Sequence, residues 1–273
     1  MNSLLIDAEK CNRCGICTEE CPAYLVRLTD KEALPSWVRG AESWCLNCGH
    51  CVAICPTGAL ELSSMPVAGC IPIVKELQPS PEQVEQLLKS RRVIRAYREE
   101  PVEREKLAKL LDIARYAPSG HNAQPVNWLV IENREKVKEL AQLVVDWLRD
   151  LAQQDAGFAR MLQAKALVKA WESGSDRITR VAPHLIITHA REDTIVHGDC
   201  HIALAYLELA AYSMGIGTCW SGYVQLGATH SPALLQALQL PEGHDVFGAM
   251  LIGYPQYKFT RIPVRNEAKV TWR

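Results

Sequence analysis

Eight of the chain's 11 cysteines fall between Cys11 and Cys55, in two runs of one design. Cys11-Asn-Arg-Cys14-Gly-Ile-Cys17-Thr-Glu-Glu-Cys21-Pro22 recurs as Cys45-Leu-Asn-Cys48-Gly-His-Cys51-Val-Ala-Ile-Cys55-Pro56. Thiols crowded this way in a reducing compartment ligate metal rather than form disulfides. Three cysteines at i, i+3 and i+6 wrap one iron–sulfur cube. The fourth, expected to start a helix, leads to the neighbouring cube, and proline then turns the chain away. The pattern therefore assigns Cys11, Cys14, Cys17 and Cys55 to one [4Fe–4S] cluster, and Cys45, Cys48, Cys51 and Cys21 to the other. Zinc also takes sites of four cysteines, but two C-x2-C pairs suffice for each ion, and two four-cysteine runs ending in proline exceed that need. Gly15 and Gly49 follow the second cysteine of each run, where the backbone must pass close to the cube. His50 is expected beside the second cluster as packing.

Clusters move electrons one at a time, so the remainder of the chain should supply an acceptor. Arg91, Arg92, Arg95 and Arg98 crowd one short stretch, broken by apolar positions. Such a stretch is either a solvated helix end or an anion site, since the guanidinium fork suits phosphate. Ala117-Pro-Ser119-Gly-His-Asn122-Ala-Gln124-Pro125 reads as a polar turn whose Ser, Asn and Gln can address heterocycle or ribityl oxygens. Gly217-Thr-Cys-Trp-Ser221-Gly222-Tyr223 reads as a small-residue loop after a buried helix. Gly253-Tyr-Pro-Gln-Tyr-Lys258-Phe-Thr-Arg261-Ile-Pro263 carries a second basic cluster.

Taken in order, these four segments resemble the FMN-dependent nitroreductase family over residues 80–273. The marks are R-R-x-x-R before Pro101-Val102, P-S-x-x-N-x-Q-P, the W-S-G loop and the late G-Y-P…K…R-x-P. With the cysteine runs in front, each of which is a bacterial ferredoxin run, the chain resembles a ferredoxin-fused nitroreductase. The resemblance implies an α+β fold and a homodimer with FMN at its interface. It implies that Arg91, Arg92 and Arg95 contact the FMN phosphate, ribityl chain and pyrimidine edge. Ser119, Asn122 and Gln124 approach the isoalloxazine from this subunit or its partner, Ser221 and Gly222 lie near N5, and Lys258 and Arg261 close on the phosphate. Val93 stands where the family often has Ser, and Val126-Asn127 where an aromatic residue is common, so one flavin contact and the substrate pocket depart from the pattern.

The implied activity is an oxidoreductase passing electrons through two [4Fe–4S] clusters to FMN, and on to an electron-poor acceptor such as a nitroaromatic or quinone. Its donor is an external ferredoxin or NAD(P)H. No catalytic side chain is assigned, because the chemistry sits at flavin N5. The competing reading is an adaptor that relays electrons to a partner redox enzyme and has no small-molecule substrate.

The elements that must position these groups divide the chain into a 2[4Fe–4S] ferredoxin-like domain at residues 1–65, a proline-rich linker at 66–79 and an α+β domain at 80–273. Ser80, Pro81 and Gln83 form a capping box that opens a helix to about Ser90. Hydrophobic periodicity predicts helices over Glu103–Tyr116, Arg134–Leu151, Phe158–Trp171 and Thr194–Met214, and a short one from Ser231. Strands are predicted at Asn127–Glu132, His184–Ala190 and Val246–Gly253. No G-x-G-x-x-G follows any of them, so a Rossmann domain is not indicated.

Lys+Arg at 30 against Asp+Glu at 31 leaves no basic excess for nucleic acid. The first ten residues show no leader, and no apolar run approaches the roughly 20 residues of a spanning helix, so a soluble cytoplasmic protein is expected. Cys200 and Cys219 are expected to be small buried hydrophobes, and Cys70 has no assigned role. His197 and His201 are spaced i, i+4 on a helix but lack an acidic third ligand for a metal. Asp176, Arg177 and Arg180 are expected either to line a substrate entrance or to cap a helix.

Overall fold

The computed structural model describes residues 2–154, 156–193 and 195–273. They form two compact units: one built from the residues up to Gln78 together with His121–Ala123, the other from Pro79–Gly120 and Gln124 onward. Among the described residues no helix is long and apolar enough to cross a membrane.

The first unit runs β1 (Leu4–Ile6), α1 (Ile16–Glu19), β2 (Val26–Arg27), β3 (Ser36–Trp37), α2 (His50–Ala53) and β4 (Leu60–Leu62). β1 pairs with β4 and β2 with β3, both antiparallel. The buried apolar core is small, with Cys17, Val26, Val52, Leu60 and Leu62 at its centre and other cysteines packed against it. The helices lie elsewhere than expected. Each carries the third cysteine of its run and stops before the fourth, instead of starting there. Gly15 and Gly49 turn the chain into each helix at φ of 78° and 73°, a left-handed conformation that a side chain disfavours. At Gly49 an added Cβ would also meet Met65 Sδ at 2.5 Å. The segment 66–78 has only short 3-10 turns, at Val67–Gly69 and Lys75–Leu77.

The second unit continues with α3 (Pro81–Ser90), α4 (Arg104–Ala114), β5 (Asn127–Ile131), α5 (Arg134–Gln154), α6 (Ala156–Met161), α7 (Ala164–Glu172), β6 (His184–Arg191), α8 (Val196–Ser213), β7 (Gly217–Trp220), α9 (Gly222–His230), α10 (Pro232–Ala237) and β8 (His244–Gly253). Its strands form an antiparallel sheet in the order β5-β6-β8-β7. Helices cover both faces. Leu185, Ile187, Ala249 and Leu251 face a core with α5, whose buried Val137, Leu140, Ala141, Val144, Val145 and Leu148 follow helical periodicity. Ile186, Met250 and Ile252 face the other way, onto Leu107 and Leu110 of α4 and Leu204 and Leu207 of α8. Covering both faces explains why β6 reads as a near-continuous apolar run.

The α+β class expected from the sequence is the one found. The capping box at Ser80 forms, with Gln83 N donating to Ser80 Oγ at 3.3 Å and Ser80 N to Gln83 Oε1 at 2.8 Å. The helix expected over Phe158–Trp171 is broken into α6 and α7, because Gln163 takes a left-handed φ of 56°. The helix expected from Thr194 runs Val196–Ser213, and Thr194 itself lies outside the described residues.

His184 opens β6 almost fully buried, with Nε2 accepting from Val102 N at 2.8 Å and Nδ1 donating to Glu132 O at 3.0 Å. That pair of bonds requires the neutral ring. Burial holds its pKa below the ordinary histidine value of 6.5. The unfolded chain therefore binds the extra proton as pH falls through about 6.5, so stability is complete above that pH and declines below it. Thermal unfolding at pH 5.5 and 7.5 should show this loss in the parent, and a smaller loss in a less stable His184→Gln variant. Equal acid losses in the two would remove His184 as the cause.

Candidate functional site

The first unit gathers its cysteines into two sets. Cys21, Cys45, Cys48 and Cys51 line one small cavity, over Val26, Trp37 and Leu62. Cys11, Cys14, Cys17 and Cys55 line another, with Ile6 and Leu60. The fourth cysteine of each run thus faces the first three of the other run. The electrostatics follow the same grouping. Burial, then the neighbouring Cys21, Cys45 and Cys48 thiols, push Cys51 up to about 11. Burial and then Cys14, with smaller contributions from Cys55 and Cys11, push Cys17 up. Thiols held protonated this way must release protons to bind iron. At Cys55 burial is outweighed by hydrogen bonds from Thr57, Ala59 and Leu60, which hold the thiol below its usual value. All cysteines are free. Four thiols in each set are the donor set of a [4Fe–4S] cube. His50 is exposed yet lines the cavity of Cys21.

In the second unit the arginine-rich stretch follows α3 as extended chain. Ile94 N donates to Thr218 O of β7 at 2.8 Å, while Arg98 N donates to Tyr254 O at 2.9 Å and Gln256 N to Ala96 O at 3.0 Å. Gly217 permits this approach, since a Cβ there would meet Ile94 Cγ1 at 2.6 Å. Pinning the stretch between β7 and the residues after β8 brings Arg91, Arg92, Arg98 and Lys258 to one cavity of about 330 Å³, walled also by Tyr212 and Tyr254. That volume lies within the range of small-molecule sites, and three or more cations on its wall suit a phosphate.

Arg91 is not loose in this wall. Its Nη1 lies 3.0 Å from Glu208 Oε1, with the two side chains 22% and 10% exposed. Thr218 Oγ1 donates to Glu208 Oε1 and Trp220 Nε1 to Oε2, both at 3.3 Å. His201 stacks on Trp220 with centroids 5.7 Å apart. In the sequence Glu208 is only a lone charge within the apolar stretch 204–211. Its partner lies 117 residues away, so no local signal marks it.

Other expected contacts lie outside this cavity. Arg95 and Arg261 are exposed and absent from its wall, and Ser119, Asn122, Gln124, Ser221 and Gly222 do not line it either. Ser119 Oγ accepts from Gln124 N at 2.9 Å, and Gly120 N donates to the buried Asp199 carboxylate at 3.1 Å, which fixes the turn. Asn122, grouped with the first unit, donates through Nδ2 to the carbonyl oxygens of Leu46 and Asn47 at 3.2 and 3.1 Å. The expected W-S-G loop is the end of strand β7 followed by helix α9, which starts at Gly222. Ser221 caps that helix in position only. Its hydroxyl is buried and finds no partner among the described residues, as a contact reserved for a ligand would be.

The remaining expectations resolve simply. Cys200 and Cys219 are buried, and burial pushes Cys200 up to about 11, whereas Cys70 is exposed. His201 stacks on Trp220, and His197 packs edge-on against Phe247. Asp176 closes a turn by accepting from Ile178 N, Thr179 N, Thr179 Oγ1 and Val181 N.

Known proteins match both parts of the chain. The profile described as the nitroreductase family matches residues 88–254, and that described as a 4Fe-4S dicluster domain matches residues 3–64. An FMN reductase (NAD(P)H) of Bacillus subtilis (strain 168) is 26% identical over 181 residues, which are 64% of this chain and 67% of that protein. The polyferredoxin protein MvhB of Methanothermobacter thermautotrophicus is 34% identical over 64 residues, 23% of this chain and 14% of that one. A crystal structure of a nitroreductase with bound FMN from Bacteroides fragilis superposes with a TM-score of 0.58 at 25% identity, covering 70% of this chain and 98% of that one.

Proposed function

Because the chain belongs to the nitroreductase family and carries a 4Fe-4S dicluster domain ahead of that fold, we propose that it passes electrons through two [4Fe–4S] clusters to FMN and on to an electron-poor organic acceptor. The observation that carries the reading is the pairing of two four-cysteine cavities in one unit with an arginine- and lysine-walled cavity in the other. When bound, the clusters supply one-electron transfer and the flavin couples it to two-electron chemistry.

Cys11, Cys14, Cys17 and Cys55 hold one cluster, and Cys45, Cys48, Cys51 and Cys21 the other. Arg91, Arg92 and Lys258 bind the flavin phosphate, joined by Arg261, and Glu208 keeps the Arg91 guanidinium in one orientation. Arg95 faces the pyrimidine edge, where a cation stabilises added negative charge. The buried Ser221 hydroxyl, which has no partner among the described residues, and the Gly222 backbone address the ring. Ser119, Asn122 and Gln124 serve the flavin of a homodimer. The acceptor is a nitroaromatic, quinone or similar conjugated compound, and the protein works in the cytoplasm.

Anaerobic mixing of the reconstituted protein with NADH, NADPH or a reduced ferredoxin, following flavin and cluster absorbance separately, tests the reading. The expected result is about eight iron and eight sulfide per chain, four for each cysteine set, bound FMN, and electrons reaching both cofactors from one donor. Stoichiometric zinc without sulfide, or a protein that retains no flavin, would overturn it.

A further inference from the structure

The two cysteine runs repeat in backbone as well as in sequence. Arg13 and Asn47 are left-handed at φ of 55° and 50°, and Tyr24 and Gly58, three residues past the fourth cysteines, at 53° and 61°. These turns bring an equivalent amide back to each fourth sulfur. Leu25 N donates to Cys21 Sγ and Ala59 N to Cys55 Sγ, both at 3.3 Å. Against that symmetry one difference stands out. The residue two past the fourth cysteine is Ala23 in the first run and Thr57 in the second. Thr57 Oγ1 lies 3.7 Å from Cys55 Sγ, so this sulfur faces a hydroxyl as well as an amide. Ala23 has no such group to offer Cys21.

A thiolate bound to iron has no proton to give, so in the loaded protein the hydroxyl is the donor. Hydrogen bonds to ligating sulfurs favour the reduced, more negative cluster and raise its potential. We propose that Thr57 is a potential-setting residue, its hydroxyl making the centre of Cys11, Cys14, Cys17 and Cys55 easier to reduce than it would otherwise be and the two centres unequal. The inference rests on the two-cluster reading above. The electron comes from the reductant, and no bond is made or broken.

The test is an anaerobic redox titration of the reconstituted full chain, followed by electron paramagnetic resonance, with iron and sulfide counted on each sample. Thr57→Val keeps the shape and removes the hydroxyl. It should shift one centre to more negative potential, lowering its reduced-to-oxidised ratio at fixed potential about fivefold for one hydrogen bond, and leave the other centre in place. Thr57→Ser should restore the parent midpoint. Unchanged midpoints in a fully loaded Thr57→Val protein, equal movement of both centres, or the same shift in Thr57→Ser would each overturn the role of the hydroxyl. A parent that loads with iron and sulfide for only one centre would overturn the two-cluster reading itself.

Discussion

Combining Cys11→Ala with Cys55→Ala should cost the protein one iron–sulfur centre, whereas combining Cys11→Ala with Cys21→Ala should cost it both. The difference comes from the grouping of the sulfurs, in which Cys55 faces the cavity of Cys11 and Cys21 faces that of Cys45. Two ligands removed from one set destroy one centre, and one ligand removed from each set disturbs two. If each run instead served its own cluster, the outcomes would exchange. Iron and sulfide content, with spin integration of the reduced protein, reads the result directly. The effect is large because the ligands also hold the fold. The unit has a small apolar core, and for such units metal binding is a major part of folding free energy.

Glu208→Ala should be the most damaging single change in the second unit outside the sheet core. It leaves the largely buried Arg91 guanidinium without its carboxylate and strands the donors of Thr218 and Trp220. Removing one partner of a buried pair costs about 3–5 kcal/mol, and the residual exposure of Arg91 places this case near about 3 kcal/mol. Glu208→Gln keeps an acceptor for the two neutral donors and should cost less. Denaturant unfolding followed by tryptophan fluorescence reports the comparison. A loss under about 0.5 kcal/mol for Glu208→Ala, the size of an ordinary surface substitution, would show that the network does not hold Arg91.

Much of this was legible in the chain itself. Cluster ligation depends on cysteines a few residues apart, so both runs and their repeat could be read directly. Capping at Ser80 is a contact over three residues, and the buried stripe of α5 is a local periodicity. The turn at Gln163 that splits α6 from α7 left no comparable mark, because neither glycine nor proline announces it. Only the first residues of helix α9, Gly222 and Tyr223, read as loop, because they follow a stretch of small and polar side chains. What starts it is the end of edge strand β7, a tertiary boundary.

The sequence by itself determined the ligand types, their spacing and the order of the four nitroreductase marks, because each is written within a dozen or so neighbouring residues. Only the tertiary structure decided that Arg91 is held by Glu208, and that Arg91 and Arg92 meet Lys258 while Arg95 does not join them. Those facts depend on chain segments brought together by the pairing of residues 94–98 with β7 and with the turn after β8. Contacts across such distances are fixed by packing of the whole unit, and no local pattern encodes them.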